Sequence, residues 1–323
     1  MADDPQTVCI EAPGGIGNFG PGLDVLGCAV VGLADRVWAV RDDEHVGVRI
    51  DRPGHPDLPR DATRHASGIA ATEVLRICGR SDVGISLRVE KGLPLAGGQG
   101  GSAASAVAAA VAVDTLLGKT LTIDELIGAA LVAESAVSGH HADNVIPALI
   151  GGIVLIRSLD DMDFVRLAVP EPLRIVLVHP GYRVSTHEAR RALPEWIDRP
   201  TAVHQMAQVG AIVSALATGD LELLGRAIDD RLAEPTRMAL LPGFAEAKRA
   251  AIEAGALGCG ISGAGPSAFA LVDDERLGEE VAKAMIDAYG KRNVKADARV
   301  TRVDERGARE LPAVSAPPIL RLV

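Results

Sequence analysis

The sequence predicts an α+β protein of two domains, and three observations support that prediction. The chain has 323 residues, more than a single hydrophobic core usually holds. Hydrophobic residues make up 48% and charged residues 24%, as in ordinary globular proteins. The third observation is the order of the elements: the first half mixes strands and helices, and the second half predicts the β-α-β-β-α-β order of a ferredoxin-like domain.

The first half of the chain contains the patterns of five strands and three helices. Apolar runs predict strands at 7–13, 28–40, 46–50, 83–90 and 151–158. Helical periodicity predicts helices at 62–79, 102–117 and 122–137. Thr122 and Glu125 have the spacing of a capping box, and Gly79 and Gly118 end the first two helices.

The second half predicts a second domain. Strands are expected at 173–180, 256–262, 267–273 and 294–303. Helices are expected near 201–218, 220–231, 243–254 and 275–290. Taking the three helices between the first two strands as one layer gives the ferredoxin-like order. The polar stretch at 160–164 predicts a hinge, so we place the domains at 1–164 and 165–323, with a proline-rich, peripheral tail after Arg309.

Composition and charge exclude several function classes. The net charge of −10 argues against nucleic-acid binding but permits a small anionic ligand at a locally positive site. Because no apolar run reaches about 18 residues without polar interruption, no membrane span is expected. The four cysteines lack metal-ligand spacing and lie in apolar segments, which predicts free thiols in a reducing compartment. The acidic N-terminus has no signal-peptide pattern, so we expect a cytoplasmic protein.

A glycine-rich stretch, PLAGGQGGSAAS at 94–105, stands directly before an alanine-rich helix. Glycine is costly in backbone entropy unless the chain must bend sharply or something must approach it closely. The first amides of a helix lack partners, and the helix dipole favours negative charge there. The stretch therefore predicts an anion-binding loop.

The residues of this loop alone permit three interpretations. A nucleotide P-loop requires a lysine after its last glycine, and this loop has none. Gly98, Gly100 and Ala103 have the spacing of a dinucleotide fingerprint, but the segment KGLPL at 91–95 separates them from the preceding strand. A glycine-rich turn without a ligand is the third interpretation, and the loop alone leaves it open.

The loop resembles the motif P-x-x-x-G-L-G-S-S-A-A-S of the GHMP kinase superfamily, which joins galactokinase, homoserine kinase, mevalonate kinase and phosphomevalonate kinase. It departs from the motif at Gln99, where leucine is usual, and at Gly101, where the first serine is usual. Ser102 keeps the second serine. The resemblance implies that ATP is bound by Pro94, Leu95, Ala96, Gly97, Gly98, Gln99, Gly100, Gly101, Ser102, Ala103 and Ala104.

Two further motifs follow the superfamily's order. APGGIGNFGPGLDVLGCAV at 12–30 resembles the homoserine kinase motif A-P-x-x-x-x-N-L-G-P-G-F-D-x-L-G and departs from it just before Asn18. GCGISGAGPSAFAL at 258–271 resembles the third motif, a glycine-rich hairpin that supports the phosphate loop. Other stretches that resemble homoserine kinases lie at 134–158, 185–194 and 233–244.

The resemblance extends over nearly the whole chain, from about residue 12 to residue 309. It implies the two-domain GHMP kinase fold, in which a ribosomal-protein-S5-domain-2-like domain that binds ATP precedes a ferredoxin-like domain. The implied reaction is the ATP-dependent phosphorylation of L-homoserine to O-phospho-L-homoserine, a step of threonine biosynthesis, with Mg²⁺ as the metal.

The resemblance also implies individual roles. Ser102 and Glu134 would hold Mg²⁺, which prefers oxygen ligands. The guanidinium groups of Arg190 and Arg237 would bind the carboxylate of homoserine, and Asp24 would bind its ammonium group. Further substrate-binding residues would be Asn18, His141 and Thr186.

Asn144 stands where other kinases of the superfamily carry an aspartate. An amide cannot accept a proton at neutral pH, so Asn144 would only orient the acceptor hydroxyl, and transfer would proceed without a clear catalytic base. Asp143 is then expected to cap the following helix and to point away from the substrate. In the adenine site the best match to the usual asparagine is His65, which leaves the nucleotide preference open.

Each of these assignments has a structural alternative. Glu134 could lie on the solvent face of its helix, Asp24 could serve a turn, Arg190 could be a surface charge, and His141 could be a core histidine. Two alternative functions also stand: a mevalonate-type or other small-molecule kinase of the superfamily, and a non-catalytic member that senses a ligand. The sequence leaves the oligomeric state open, with a homodimer as the candidate.

Overall fold

Residues 7–312 of the chain are described here from a computed structural model. The strands are β1 Thr7–Gly17, β2 Leu26–Arg41, β3 Gly47–Arg52, β4 Gly84–Glu90, β5 Ile153–Ser158, β6 Asp163–Leu167, β7 Arg174–Pro180, β8 Gly258–Ile261, β9 Ala268–Val272, β10 Ala296–Thr301 and β11 Arg309–Glu310. The helices are α1 Ala66–Ile77, α2 Gly101–Leu116, α3 Ile123–Val137, α4 Val145–Ile150, α5 Thr186–Arg191, α6 Arg199–Thr218, α7 Leu221–Ala227, α8 Ala233–Arg237, α9 Phe244–Glu253 and α10 Glu275–Gly290.

The first sheet contains seven strands and is built around the long strand β2. Its main order is β11-β1-β2-β4-β3, with β5 paired to β2 and β6 paired to β5. All neighbours are antiparallel except β3 and β4. Residues 36–41 of β2 pair with β4, whereas residues 26–28 pair with β5, so the two ends of this strand belong to different parts of the sheet.

Helix α2 is the centre of the first domain. Nearly all of its residues are buried, because it packs against α1 and α3 as well as against β1 and β2. A helix covered on every side has no polar stripe, which explains why its sequence lacks amphipathic periodicity. Its small alanine side chains permit the close approach of these neighbours, and its N-terminus is thereby fixed at the end of the glycine-rich loop.

The second sheet has the order β10-β7-β9-β8, with all neighbours antiparallel. Helices α9 and α10 pack together and contact this sheet. The predicted ferredoxin-like order is confirmed, and helix α10 has the bounds that the sequence predicted. The capping box of Thr122 and Glu125 at the start of α3 is also confirmed.

The two domains share a hydrophobic core. Phe19 from the first motif stacks on Phe269 from β9, with ring centroids 5.5 Å apart and planes 9° from parallel. Both rings are fully buried among residues of β2, β5, β7, α6 and α7. The first motif and the third motif are therefore held together by apolar packing, which fixes the edge of the cavity between the domains.

The predicted hinge at 160–164 is wrong. Residues 160–162 lie in the turn of the hairpin between β5 and β6, residues 163 and 164 begin β6, and both strands belong to the first sheet. Charged residues at a hairpin turn give the same local pattern as a linker, so the sequence could not separate the two. The predicted boundary after residue 164 falls inside β6, and we propose a boundary after Leu167.

The C-terminal segment returns to the first domain. Val303 forms a bridge to Val30, and β11 pairs with β1 at the edge of the first sheet. The predicted peripheral tail therefore begins as an edge strand, and its residues from 313 onward lie outside the described part of the chain. The predicted helix at 220–231 ends at Ala227, because the carboxylate of Asp230 instead accepts the amides of the next turn.

The cysteines carry no disulfide: Cys9, Cys28 and Cys259 are free and buried, and Cys78 is free and partly exposed. This confirms the predicted free thiols. Between residues 7 and 312 no helix has the length and apolar character that a bilayer crossing requires.

Candidate active site

A cavity of about 480 Å³ lies between the two domains. The glycine-rich loop and the N-terminus of α2 form one wall, and the ends of α3 and α4 form a second. Segment 183–190 and Arg237 of α8 close it from the second domain. Most of the predicted site residues line it: Asn18, Asp24, Ser102, Glu134, His141, Asn144, Thr186, Arg190 and Arg237.

The glycine-rich loop needs glycine at two positions. Gly98 has φ +73°, and a Cβ there would lie 2.5 Å from the carbonyl oxygen of Ser262. Gly100 is the N-cap of α2 with φ +68°, and a Cβ there would lie 2.7 Å from Oδ1 of Asn144. The loop can therefore press against the β8–β9 turn on one side and against Asn144 on the other.

The carbonyl oxygens of this loop are bound by the protein. Ser267 Oγ donates to the Gly97 oxygen at 2.6 Å, and Ser262 Oγ donates to the Gly98 oxygen at 2.6 Å. The amide of Gly15 donates to the Gln99 oxygen at 3.1 Å. In contrast, the backbone amides of residues 97–101 have no hydrogen-bond acceptor within residues 7–312. Successive unpartnered amides before a helix N-terminus form a site for phosphate oxygens.

A buried lysine reinforces the start of α2. Lys91 Nζ donates to the Gly101 carbonyl oxygen at 2.8 Å and to Ser105 Oγ at 3.0 Å, and it also contacts the carboxylate of Asp35. Asp35 is fully buried and accepts from Ser105 Oγ at 2.6 Å as well. The sequence does not predict this contact between Lys91 and Asp35, because 56 residues separate them and no local pattern joins them.

Glu134 lies in the cavity wall and not on a solvent face. Only 2% of it is exposed, and its Oε2 has no hydrogen-bond partner within the described chain. Burial raises the pKa of Glu134, while the neighbouring His141 and Ser102 oppose that rise. Ser102 Oγ lies 3.2 Å from Ser138 Oγ. A buried, unsatisfied carboxylate oxygen beside a serine hydroxyl at a phosphate loop fits Mg²⁺, which bridges carboxylates and phosphates.

A second cluster with ligand atoms within 4.8 Å of one another is formed by Asp24, His141 and Asp143. Arg190 binds the carboxylate of Asp24 through two hydrogen bonds, of 2.6 and 3.1 Å. His141 Nδ1 is bound to Asp143 at 2.9 Å. A guanidinium at one ligand and an imidazole at another make this cluster a poor Mg²⁺ site, since that ion requires an octahedron of oxygens.

Two of the arginines that line the cavity, Arg190 and Arg237, have different partners. Arg190 is paired with Asp24, whereas Arg237 donates to the Gly263 carbonyl oxygen at 2.9 Å. Arg237 is 3% exposed, and among the described residues no carboxylate lies within ion-pair distance of it. Burial lowers the pKa of Arg237, as expected for a guanidinium without a counter-ion. This side chain is suited to an anionic ligand.

Asn18 shapes the site from the first motif. It has φ +65°, its Oδ1 accepts from the Asp24 amide at 3.0 Å, and its Nδ2 donates to the Gly263 oxygen at 3.1 Å. Its backbone amide donates to Asp143 Oδ2 at 2.8 Å. Both ends of the Asn18 side chain thus bind the protein, so this residue holds Asp24 and the third motif in place.

The prediction that Asp143 caps α4 is wrong. The N-cap of α4 is Asn144, which makes no side-chain capping bond. Asp143 accepts from the Asn18 amide and from His141 Nδ1, and it lines the cavity together with Asn144. Asp143 precedes the helix, so the expected 100° rotation between the two side chains does not apply. Asn144 Oδ1 is buried without a partner in the described chain.

His65 has a structural position at the start of α1. Its Nδ1 accepts from the Ser67 amide at 3.1 Å, so its Nε2 carries the hydrogen that is donated to the Pro53 oxygen at 3.2 Å. Burial lowers the pKa of His65, which keeps this ring neutral at pH 7. It lines the cavity, but both ring nitrogens are engaged by the protein.

Comparisons with known proteins identify the family to which this chain belongs. The profile for the GHMP kinases N-terminal domain matches residues 65–152, and the profile for the GHMP kinases C-terminal region matches residues 212–291. A homoserine kinase of Arabidopsis thaliana is 41% identical, over 98% of this chain and 88% of that protein. The chain belongs to the homoserine kinase family.

Solved structures agree with this assignment. A crystal structure of homoserine kinase from Cytophaga hutchinsonii superimposes with a TM-score of 0.91 at 38% identity, over 96% of this chain and 99% of that one. A mevalonate kinase from L. major has a TM-score of 0.69 at only 19% identity, over 91% and 95% of the two chains. That second likeness shows the fold alone. The predicted GHMP kinase fold is confirmed.

Glu134→Gln is expected to lower kcat by well over tenfold and to raise the Mg²⁺ concentration required for half-maximal activity. The amide keeps the shape of the side chain but removes the charge that would hold the ion. The measurement is a Mg²⁺ titration of ADP release at saturating ATP. The exposed Glu253→Gln on α9 is the matched control and should behave as the wild type. An unchanged Mg²⁺ dependence in folded Glu134→Gln would remove this residue from the metal site.

Proposed function

We propose that the chain transfers the γ-phosphoryl group of ATP to the hydroxyl of L-homoserine, giving ADP and O-phospho-L-homoserine for threonine biosynthesis. The observation that carries the proposal concerns Arg237 and the loop amides. Within residues 7–312 the buried Arg237 guanidinium has no carboxylate partner, and it shares a cavity with phosphate-loop amides that have no acceptor there either. One end of the cavity suits a phosphate chain, and the other suits a small carboxylate.

Homoserine carries a carboxylate, an ammonium group and a hydroxyl, and the described side chains suit the first two. Arg237 and Arg190 would bind the carboxylate through charge-assisted hydrogen bonds. Asp24 would bind the ammonium group while it keeps its contact with Arg190. Alternating charges in a partly buried site favour a zwitterion over a ligand with a single charge. Thr186 of the second domain and His141 of the first also line the cavity and would complete the pocket.

ATP would lie with its phosphates on the amides of residues 97–101 and on the N-terminus of α2, where the helix dipole favours negative charge. Ser102 and Glu134 would hold Mg²⁺, which when bound neutralises phosphate charge during transfer. Lys91, beneath the first turn of α2, holds the Gly101 carbonyl oxygen away from the phosphates. The protein thus supplies a fixed phosphate site without a P-loop lysine.

Catalysis would come from placement and electrostatics, without a general base. The Asn144 carboxamide lies against Gly100, where the phosphate loop meets α2, and its Oδ1 is unpartnered. Asn144 Oδ1 would accept a hydrogen bond from the homoserine hydroxyl and so direct the hydroxyl oxygen toward the γ-phosphate. Asp143 is engaged by the Asn18 amide and His141 instead. Phosphoryl transfer through a loose transition state needs little activation of the nucleophile, so the proton can leave to a phosphate oxygen.

The alternative functions are supported less well. Mevalonate has no ammonium group, so it would leave Asp24 without a ligand. A ligand-sensing member would not need an unsatisfied carboxylate oxygen at Glu134 beside the phosphate loop. We also propose a cytoplasmic location, which the free cysteines support, and a homodimer, for which the exposed Trp196 and Met206 near the start of α6 offer an apolar surface.

L-Homoserine is expected to be turned over faster than mevalonate, galactose or L-serine at equal concentration in a coupled assay of ADP release. Arg237→Ala should raise KM for homoserine roughly tenfold to a hundredfold, because hydrogen bonds between charged groups contribute about 1.5–3 kcal/mol. The exposed Arg231→Ala serves as the control, with unchanged KM. Faster turnover of mevalonate or galactose would contradict the proposed acceptor.

Asn144→Ala is expected to lower kcat on the order of 10- to 100-fold without adding an ionisation to the profile of kcat from about pH 5 to pH 9. Asp143→Asn should also be slower and less stable, because an amide with one oxygen cannot accept all three hydrogen bonds that the Asp143 carboxylate accepts now from Asn18, His141 and Asn144. Its pH profile should keep the wild-type shape. An acidic limb present in the wild type and absent from folded Asp143→Asn would instead identify Asp143 as the base.

A further inference from the structure

A polar network behind the phosphate loop joins the loop to the second sheet through side chains that do not line the cavity. Gln99 is 1% exposed, and its Nε2 donates to Ser267 Oγ at 3.0 Å. Its Oε1 accepts from Arg299 Nη2 of β10 at 3.0 Å. Ser267 Oγ in turn donates to the Gly97 carbonyl oxygen, and His179 Nδ1 of β7 lies 3.1 Å from the same hydroxyl. The network joins two residues of the loop to three positions of the second sheet or its turn.

The donors and acceptors of this network have one consistent arrangement. The single proton of Ser267 Oγ is used at the Gly97 oxygen, so the hydroxyl must accept from both Gln99 Nε2 and His179 Nδ1. Burial lowers the pKa of His179, which favours the neutral ring, and the hydrogen bond to the Ser267 hydroxyl places the ring hydrogen on Nδ1. The Gln99 carboxamide is then oriented without ambiguity: its nitrogen faces Ser267 and its oxygen faces Arg299.

Arg299 depends on Gln99 for its protein contact. In the described chain, Gln99 Oε1 is the acceptor within hydrogen-bond distance of this guanidinium, and no carboxylate forms an ion pair with it. Its Nε is buried and has no partner among residues 7–312, and burial lowers the pKa of Arg299 to about 10. A leucine at position 99, which the related loop motif usually has, would leave Nη2 of Arg299 without that acceptor.

We propose that Gln99 is a positioning residue for nucleotide binding, which acts by tying the phosphate loop to Ser267 and Arg299 of the second domain. The hydrogen bond to Ser267 holds that hydroxyl on the Gly97 carbonyl oxygen, which keeps this oxygen turned away from the phosphates. The bond to Arg299 holds a positive charge without a counter-ion behind the loop, where it favours an anion on the opposite side. This inference rests on the proposed function only in taking a nucleoside polyphosphate as the ligand of the loop.

The test is the affinity for Mg-ADP, measured by isothermal titration calorimetry in the absence of homoserine. Gln99→Met keeps the length and volume of the side chain but loses both polar ends. It is expected to weaken Mg-ADP binding roughly tenfold, since a hydrogen bond to a charged group and a loop contact are lost together. Gln205→Met is the matched control: Gln205 is also buried and hydrogen-bonded, but to Pro21 and Asp230 outside the cavity wall. It should lower the unfolding temperature without weakening Mg-ADP.

Arg299→Met removes the same hydrogen bond from the side of the second sheet, and it keeps the proposal testable if Gln99→Met does not fold. It is expected to weaken Mg-ADP by a similar factor. In the double variant the losses should be clearly less than multiplicative, because each single change already breaks the shared contact. Unchanged affinity in the single variants, or fully multiplicative losses in the double variant, would overturn the proposal. If wild-type protein binds Mg-ADP but does not phosphorylate homoserine, the proposed function fails while this test remains readable.

Discussion

The site depends on one constraint: an anion-binding loop made of neutral amides must turn its carbonyl oxygens away and satisfy them elsewhere. Here the oxygens of Gly97 and Gly98 accept serine hydroxyls from the β8–β9 turn. The Gln99 oxygen accepts the amide of Gly15 in β1. Without these partners the buried carbonyls would compete for the amides or for the cavity. The phosphate site therefore belongs to both domains, although all of its amides lie in the first.

The same constraint explains why the domains share a hydrophobic core. A loop anchored by hydroxyls of the other domain requires that domain to keep a fixed position relative to the loop. The stacked Phe19 and Phe269 join the first motif to β9, directly beside the turn that carries Ser262 and Ser267. Apolar packing supplies the free energy that holds the two domains together, and the directional hydrogen bonds set their relative position.

Local patterns in the sequence predicted most of the elements but missed the short β6, α8 and β11, and they did not predict every contact that shapes the site. Helix α2 was predicted to within about one residue at each end, because the glycine run and the alanine run mark its start and course. The segment at 160–164 was mistaken for a hinge, because the pairing between β5 and β6 cannot be recognised from the local sequence pattern. Asp143 was misplaced because its partners Asn18 and His141 include one that is 125 residues away. Lys91 was missed for the same reason. Long-range polar partners leave no periodicity in a single sequence.

The proposed phosphate site consists of loop amides at 97–101, which have no partner among the described residues and would bind phosphate. Hydrogen–deuterium exchange of residues 97–101, followed with and without Mg-ADP, tests this most directly. In the free protein these amides should exchange rapidly, although the loop lies between well-packed elements, and Mg-ADP should slow them markedly. The neighbouring buried amides of α2 should be slow in both states and provide the internal reference. Amides at 97–101 that are already protected in the free protein, or that Mg-ADP leaves unchanged, would contradict the claim.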